Sequence, residues 1–289
     1  ANFLWTSMPN RFRGLAWIRS EPGRTTKTRR HRVQAIAWAS MQSLGIDIGG
    51  SGIKGALVDL ASGDLVSERI RIETPSSFSI DEVSETLAEL VGRFEYRGPV
   101  GAGFPAAVSN GIVLTPPTAH HVPGWVDQNV NERFSASTGC AVTVLNDADA
   151  AGLAEIRHGA GRGVKGVVIT VTLGTGVGAG LFMNGILVPN LEIGKMFLAS
   201  HDDHVEQYMA GRIKKDEGLK WYEYAGRLQE FCLHIEHVFS PSLIIIGGGI
   251  SRKHKKFMPE VKLKRTPVVP AKLRNQAGIV GAADWAVEN

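Results

Sequence analysis

SLGIDIGGSGIKGALVD, residues 43–59, is the stretch on which the fold turns. Its first apolar run, Leu44 to Ile48, carries a single carboxylate, Asp47, and its second, Ile53 to Val58, carries Lys54 near its start. Strand, glycine-rich turn, strand is the simplest assignment for that pattern. Gly49 and Gly50 let main-chain N–H groups come close to an anion. Ser51 adds a hydroxyl and Lys54 a cation, so the loop suits phosphate. The GxxxxGK[ST] spacing of a P-loop is absent, and a strand rather than a helix follows. An ordinary glycine hairpin with a solvated lysine fits the same residues, so the loop by itself leaves both readings open.

Working outward, Leu65 to Ile72 reads as a third strand after the turn Ala61-Ser62-Gly63-Asp64. Ser79 to Phe94 reads as a helix, with Ser79 and Glu82 at capping-box spacing and Val83, Leu87, Leu90, Val91 and Phe94 on one face. A short strand from Pro99 to Phe104 precedes a long loop, 105–125, which contains Ser109 and Asn110. A helix over 127–137, a strand over 141–145 and a helix over 148–158 follow. The pattern then repeats. Gly166 to Leu173 and Val177 to Met183 are strands flanking Gly174-Thr175-Gly176, and Ile186 to Val188 closes a hairpin. Leu219 to Phe239 is a long amphipathic helix with Tyr222, Ala225, Leu228, Cys232, Ile235 and Phe239 in its stripe. A buried strand, Leu243 to Ile246, ends in Gly247-Gly248-Gly249, and residues 276–287 form a small-residue helix with contacts at Ala277, Val280, Ala283 and Ala286. Two strand–glycine turn–strand units, each followed by helices, predict an internally duplicated α/β protein with a cleft between its halves.

With 289 residues, 43% hydrophobic and 21% charged, the chain falls in the soluble globular class, as one large domain or two modest ones. No apolar run reaches eighteen residues, so no membrane span or membrane partner is expected. Cys140 and Cys232 make neither a zinc site nor a disulfide framework by themselves, and a reducing cytoplasm is the expected compartment. Residues 1–40 hold eight cationic side chains against Glu21, a charge of +7, which leaves −3 for the rest of the net +4. This arginine-rich arm could bind a polyanion, but a disordered or weakly structured extension ahead of Met41 is the plainer expectation. Pro9, Pro22 and Gly23 argue against a helix-turn-helix there, so a nucleic-acid partner is not expected.

Asp147 is the acid–base candidate. It follows a strand and opens a helix, where ligands gather in such sheets and where the helix dipole favours an ionised carboxylate. In phosphoryl transfer to an alcohol an aspartate takes the hydroxyl proton. Asn146 or Asp147 could equally be a plain helix cap, and Asp149 a cap or a metal-side carboxylate. Ser109 and Asn110, and the segment from Asn190 through Glu192 and Lys195 to His201, Asp202, His204 and Glu206, offer the paired hydrogen bonds that sugar hydroxyls need. The histidines there could also be read as a metal site or as solvated loop residues. The basic run 252–274, from Arg252 to Arg274, follows the triple glycine and could extend a phosphate site as a track for a longer polyanion.

Asp47-Ile-Gly-Gly-Ser-Gly-Ile-Lys54, Asn146-Asp147, Leu173-Gly-Thr-Gly-Val-Gly178, Glu192-Ile-Gly194 and Gly247-Gly-Gly-Ile250 occur in the order found in the ROK sugar kinases, which the chain resembles from residue 42 onward. Within that family it looks most like actinobacterial glucokinases that use inorganic polyphosphate and ATP, the glucomannokinases. The resemblance implies a two-lobed, duplicated actin/hexokinase-like (ribonuclease H-like) α/β fold. A small lobe of residues 41–145 plus 276–289 and a large lobe of 146–275 are expected. It implies a hexose kinase acting on the 6-hydroxyl of glucose and mannose, with Asp147 as base and Asn146, Glu192 and Glu206 as sugar ligands. Asp47 would lie near Mg²⁺ and the transferred phosphoryl group. Gly49, Gly50, Ser51, Lys54, Thr172, Gly174, Thr175 and Gly176 would form the phosphate loops, with Gly247, Gly248 and Gly249 near adenosine or the far end of a polyphosphate. Lys195 stands where many members have a histidine that contacts sugar and zinc, and 201–211 replaces their cysteine-rich segment, so no zinc is expected. A sugar-sensing DNA-binding regulator, and an ATP-only kinase for another hexose or N-acylhexosamine, are the alternatives. A monomer and a homodimer are both compatible with the sequence.

Overall fold

The computed structural model describes residues 42–118 and 122–288, so the basic extension expected over 1–40 lies outside it. The first lobe is built on a five-stranded sheet. Its strands are β1 (Gln42–Gly49), β2 (Gly52–Asp59), β3 (Ile70–Ile72), β4 (Val100–Phe104) and β7 (Val142–Asn146), in the order β3-β2-β1-β4-β7. Strands β1, β2 and β3 form an antiparallel meander, and β4 and β7 add in parallel. A small hairpin, β5 (Val108–Ser109) with β6 (Ile112–Val113), occupies part of the long loop. The second lobe repeats the plan. Its strands β8 (Val167–Leu173), β9 (Val177–Met183), β10 (Ile186–Val188), β11 (Leu243–Gly247) and β12 (Val268–Pro270) run in the order β10-β9-β8-β11-β12, again a meander followed by two parallel strands. The duplication expected from the glycine turns is thus present strand for strand.

Helix α1 (Ile80–Gly92) starts where Ser79 accepts the Glu82 N–H at 3.3 Å, and it buries Val83, Leu87, Leu90 and Val91. Helix α2 (Val130–Thr138) is capped by Asn129 and stops at Gly139 in the left-handed region. Helix α3 (Asp147–Arg157) leaves the end of β7 with no intervening loop. Two short helices, α4 (Val205–Met209) and α5 (Gly211–Asp216), lie in a stretch that reads from sequence only as a polar cluster; neither has a side-chain cap to announce it. Helix α6 (Trp221–Phe239) buries Tyr224, Leu228, Phe231, Cys232 and Ile235 against Ile169, Val171, Ile244 and Ile246 of the second sheet. Tyr222, expected in that stripe, is 70% exposed; Trp221 stacks on Phe257 and Tyr224 meets the same ring edge-on, which sets the helix phase.

Two further expectations shift. The strand expected over Leu65 to Ile72 shortens to three residues, with Leu65 making only a lone bridge to Val58, in keeping with the short edges that sheets favour. Strand β12 was masked by the lysines around it and by Pro270, which an edge strand tolerates.

Helix α7 (Ala277–Glu288) joins the parts. It lies on β1 and β4 and against α3, and Ala277, Val280, Ala283 and Ala286 are all buried. The approach is backbone to backbone. A Cβ on Gly101 of β4 would fall 1.7 Å from the Ala282 carbonyl oxygen, and one on Gly281 of α7 would fall 1.8 Å from that of Ala150 in α3. Neither gap admits a methyl group unless a helix moves. Gly101→Ala is therefore expected to lower stability by about 3 kcal/mol, the upper range for overpacking a core. Denaturant unfolding measures this, and a loss within about 0.5 kcal/mol, the range of neutral surface changes, would mean that α7 is not locked onto the sheet.

Candidate active site

The chain passes from β7 into α3 at Asn146, and that junction sets the site. Asn146 is the helix cap: its Oδ1 accepts the N–H groups of Ala148 at 2.9 Å and Asp149 at 3.1 Å, while Nδ2 donates to the Ala106 carbonyl at 3.1 Å. Asp147 is the first helical residue, and its Oδ1 also accepts the Ala148 N–H, at 2.8 Å.

Asp147 opens onto a cavity of about 380 Å³ that it shares with Asp47, Lys54, Arg69, Thr172, Arg252 and Arg274, among others. Strand pairing sets Asp47 directly across from Lys54, whose Nζ lies 3.2 Å from Asp47 Oδ2. Burial pushes the Asp147 carboxyl up to about 7, the Asp47 charge adds to the rise, the Ala148 N–H opposes it, and Glu192 adds a smaller upward push. The side chain keeps an accessible face toward the cavity. Four cations against two carboxylates leave a positive lining, suited to an anion of more than one charge.

No residue of either glycine turn is among those lining this cavity. Gly49 and Gly52 pair at the ends of β1 and β2, so Gly50 and Ser51 form a two-residue turn; both are exposed, and Arg71 Nη2 donates to the Ser51 carbonyl. In the second lobe, Leu173, Gly174 and Thr175 border another cavity, of about 610 Å³, with Arg212, Lys214, Lys215, Gly249 and Ile250. Gly248 is left-handed at φ 77° and backs directly onto Leu173, where a Cβ would fall 2.4 Å from the main-chain nitrogen. Its glycine is thus required by packing on β8, while Gly249 faces the cavity, beyond Gly247 at the end of the buried strand β11.

The residues expected to read a sugar are distributed as follows. Ser109 and Asn110 are exposed at the tip of the β5–β6 hairpin. Glu192 is exposed, pairs with Lys195 at 3.3 Å, and is close enough for its charge to raise both Asp147 and Asp149. Glu206 is held at the other turn: its Oε2 accepts the Val177 N–H at 3.1 Å and covers Gly176. His204 Nδ1 contacts the Lys195 carbonyl at 2.7 Å and its ring packs on Phe197, while His201 packs on Tyr208. Among the described residues no group of three or more His, Cys, Asp or Glu side chains is arranged to hold a metal ion. None of the helices among them is long and apolar enough to cross a membrane.

Sequence reasoning overlooked Arg69, which lies in the exposed connection before β3 with no motif around it. It also overlooked Asn190 as an anchor. The Asn190 side chain pairs with the main chain of Val108, and its own N–H reaches the buried Asp149. An asparagine at a left-handed position, φ 64°, after a proline was the available signal.

Residues 43–205 of the sequence match the ROK family. A polyphosphate glucokinase of Mycobacterium tuberculosis is 42% identical over 248 residues, spanning 86% of this chain and 92% of that protein. The crystal structure of an inorganic polyphosphate/ATP-glucomannokinase from Arthrobacter sp. strain KM superposes with a TM-score of 0.79 at 43% identity, covering 86% of this chain and 99% of that one. A ROK family glucokinase from Streptomyces griseus, crystallised with glucose and AMPPNP, superposes with a TM-score of 0.69 over 86% of this chain and 100% of that one; at 23% identity the likeness concerns the fold.

The electrostatics can be checked without any substrate. The Asp147 carboxyl is expected to titrate near 7 by carbon-detected NMR. Asp47→Asn removes a negative neighbour, so the midpoint should move down; an unchanged midpoint would mean that the two carboxylates do not sense each other.

Proposed function

Since the chain belongs to the ROK family, we propose that it is a hexose kinase transferring a phosphoryl group to the 6-hydroxyl of glucose, and of mannose, from inorganic polyphosphate or ATP. The observation that carries this reading is the cavity in which Asp147, with its carboxyl near 7, shares one space with Asp47 and four cations. A proton acceptor beside an anion site is what alcohol phosphorylation requires.

In the proposed reaction the sugar lies against Ser109, Asn110 and Glu192, with Asn146 fixing the frame. Glu206 supports the 174–176 turn from behind. The 6-hydroxyl oxygen forms its bond to the terminal phosphorus while the bond from that phosphorus to its bridging oxygen breaks. The hydroxyl proton passes to the Asp147 carboxylate, and the bridging oxygen leaves with ADP or with a polyphosphate one unit shorter. Lys54, Arg69, Arg252 and Arg274 offset the charge of the transferred group. A hard carboxylate oxygen beside an anion site suits Mg²⁺, which is held by few protein ligands and by substrate phosphates; Asp47 would hold it, and it would supply charge neutralisation.

Donor choice rests on how the two cavities adjoin. Thr172 and Arg252 line the first, while Leu173, Gly174, Gly249 and Ile250 line the second, so neighbouring residues on two segments border both. A linear polyanion running along them would meet Arg212, Lys214 and Lys215. The half-buried side chain of Ile250 gives the same space an apolar surface for a nucleotide base.

A coupled assay over a panel of hexoses, with ATP and long-chain polyphosphate in turn, tests the reading. Asp147→Asn is expected to lose about 10²–10⁴-fold in kcat with either donor, the usual worth of a general base, while still binding glucose by calorimetry; full activity would remove Asp147 from the chemistry. The base must be ionised, so kcat/KM for the parent protein should rise with pH through about 7. Replacing Lys214 and Lys215 by alanine should raise the KM for long polyphosphate by about tenfold, or about 1.4 kcal/mol. An unchanged KM at low salt, where surface charge acts most strongly, would place the chain elsewhere.

A further inference from the structure

Asp149 stands two residues after the base and takes no part in the reaction set out above. It is 1% exposed, and its Oδ1 has no hydrogen-bond partner among the described residues. Burying a carboxylate with one oxygen unpaired costs stability, so what the other oxygen holds matters. Oδ2 accepts the Asn190 N–H at 2.8 Å. Asn190 is left-handed, φ 64°, and its amide engages Val108 twice: Oδ1 accepts the Val108 N–H at 3.0 Å and Nδ2 donates to the Val108 carbonyl at 3.0 Å. Ser109 and Asn110 follow Val108 directly, and Glu192 lies two residues beyond Asn190.

We propose that Asp149 and Asn190 are positioning residues for the acceptor sugar. Asp149 fixes the Asn190 main chain, the Asn190 amide fixes Val108, and the two sugar-facing segments are thereby held at a set distance from Asp147. The proposal rests on the hexose-kinase reading. It adds a relay in which neither residue need touch the sugar. The relay runs through α3 and the segments at 108 and 190, whereas Lys54, Arg69, Arg252 and Arg274 stand on other elements. Loss of the relay therefore loosens the acceptor and leaves the donor in place.

Steady-state kinetics of the full chain, with hexose and donor varied separately, provide the test. Asn190→Gly keeps the left-handed backbone and the N–H that Asp149 accepts, and deletes only the amide. It is expected to raise the hexose KM by at least about tenfold, given how steeply catalysis depends on placement, with the donor KM unchanged. Asp149→Leu should act in the same direction. Asp149→Asn, which keeps an acceptor oxygen for the Asn190 N–H, should restore the parent hexose KM. If Asp149→Leu does not fold, the other two variants still decide. A parent-like hexose KM in Asn190→Gly, or hexose and donor KM values that rise together, overturns the relay. A parent protein inactive on every hexose with both donors overturns the kinase reading and the relay with it.

Discussion

The Asn146 cap is the constraint on which the site depends. Its side-chain oxygen takes two of the N–H groups that the start of α3 leaves without helical partners. The strand therefore becomes a helix within one residue, and Asp147 is placed by the sheet on one side and the helix on the other. The same helix is pinned further along, where Gly281 brings α7 onto the Ala150 carbonyl. Because α7 also lies on β1, the strand that carries Asp47, the two carboxylates are held through one continuous packed unit.

Within that frame the charges are in deliberate tension. Asp47 has a lysine across the strand pair and Asp147 does not, and the Asp147 carboxyl is pushed up. The cations that surround them come from several separate segments of the chain. Together they give the cavity a net positive lining, a charge pattern that favours a multiply charged anion.

Much of this was legible in the sequence, and the parts that were not share a cause. Alternating or continuous apolar runs bounded by glycine gave β1, β2, β8, β9 and β11 nearly to the residue, and the two glycine turns revealed the duplication. Elements whose stability comes from neighbours rather than from their own pattern stayed hidden: β12, an edge strand among lysines, and α4 and α5, which have no side-chain caps. The phase of α6 was off for the same reason, since the stacking of Trp221 on Phe257 is a long-range contact. At the site, Asp47, Lys54 and Asp147 could be picked out because they sit at strand ends and helix starts. Arg69 could not, and Asn190 stood out only as one member of a polar cluster, because their roles arise only once distant segments meet. Which of residues 146 and 147 caps the helix needed coordinates, which show that Asn146 does.

The packing of α7 also has a consequence for how the protein is made. Strand β4 ends at Phe104, but the helix that covers it begins at Ala277, after the entire second sheet has been translated. Until then a nascent first lobe leaves the glycine-lined backs of β1 and β4 uncovered. Pairings so distant in sequence slow folding, so during synthesis this lobe is a waiting partner rather than a finished one.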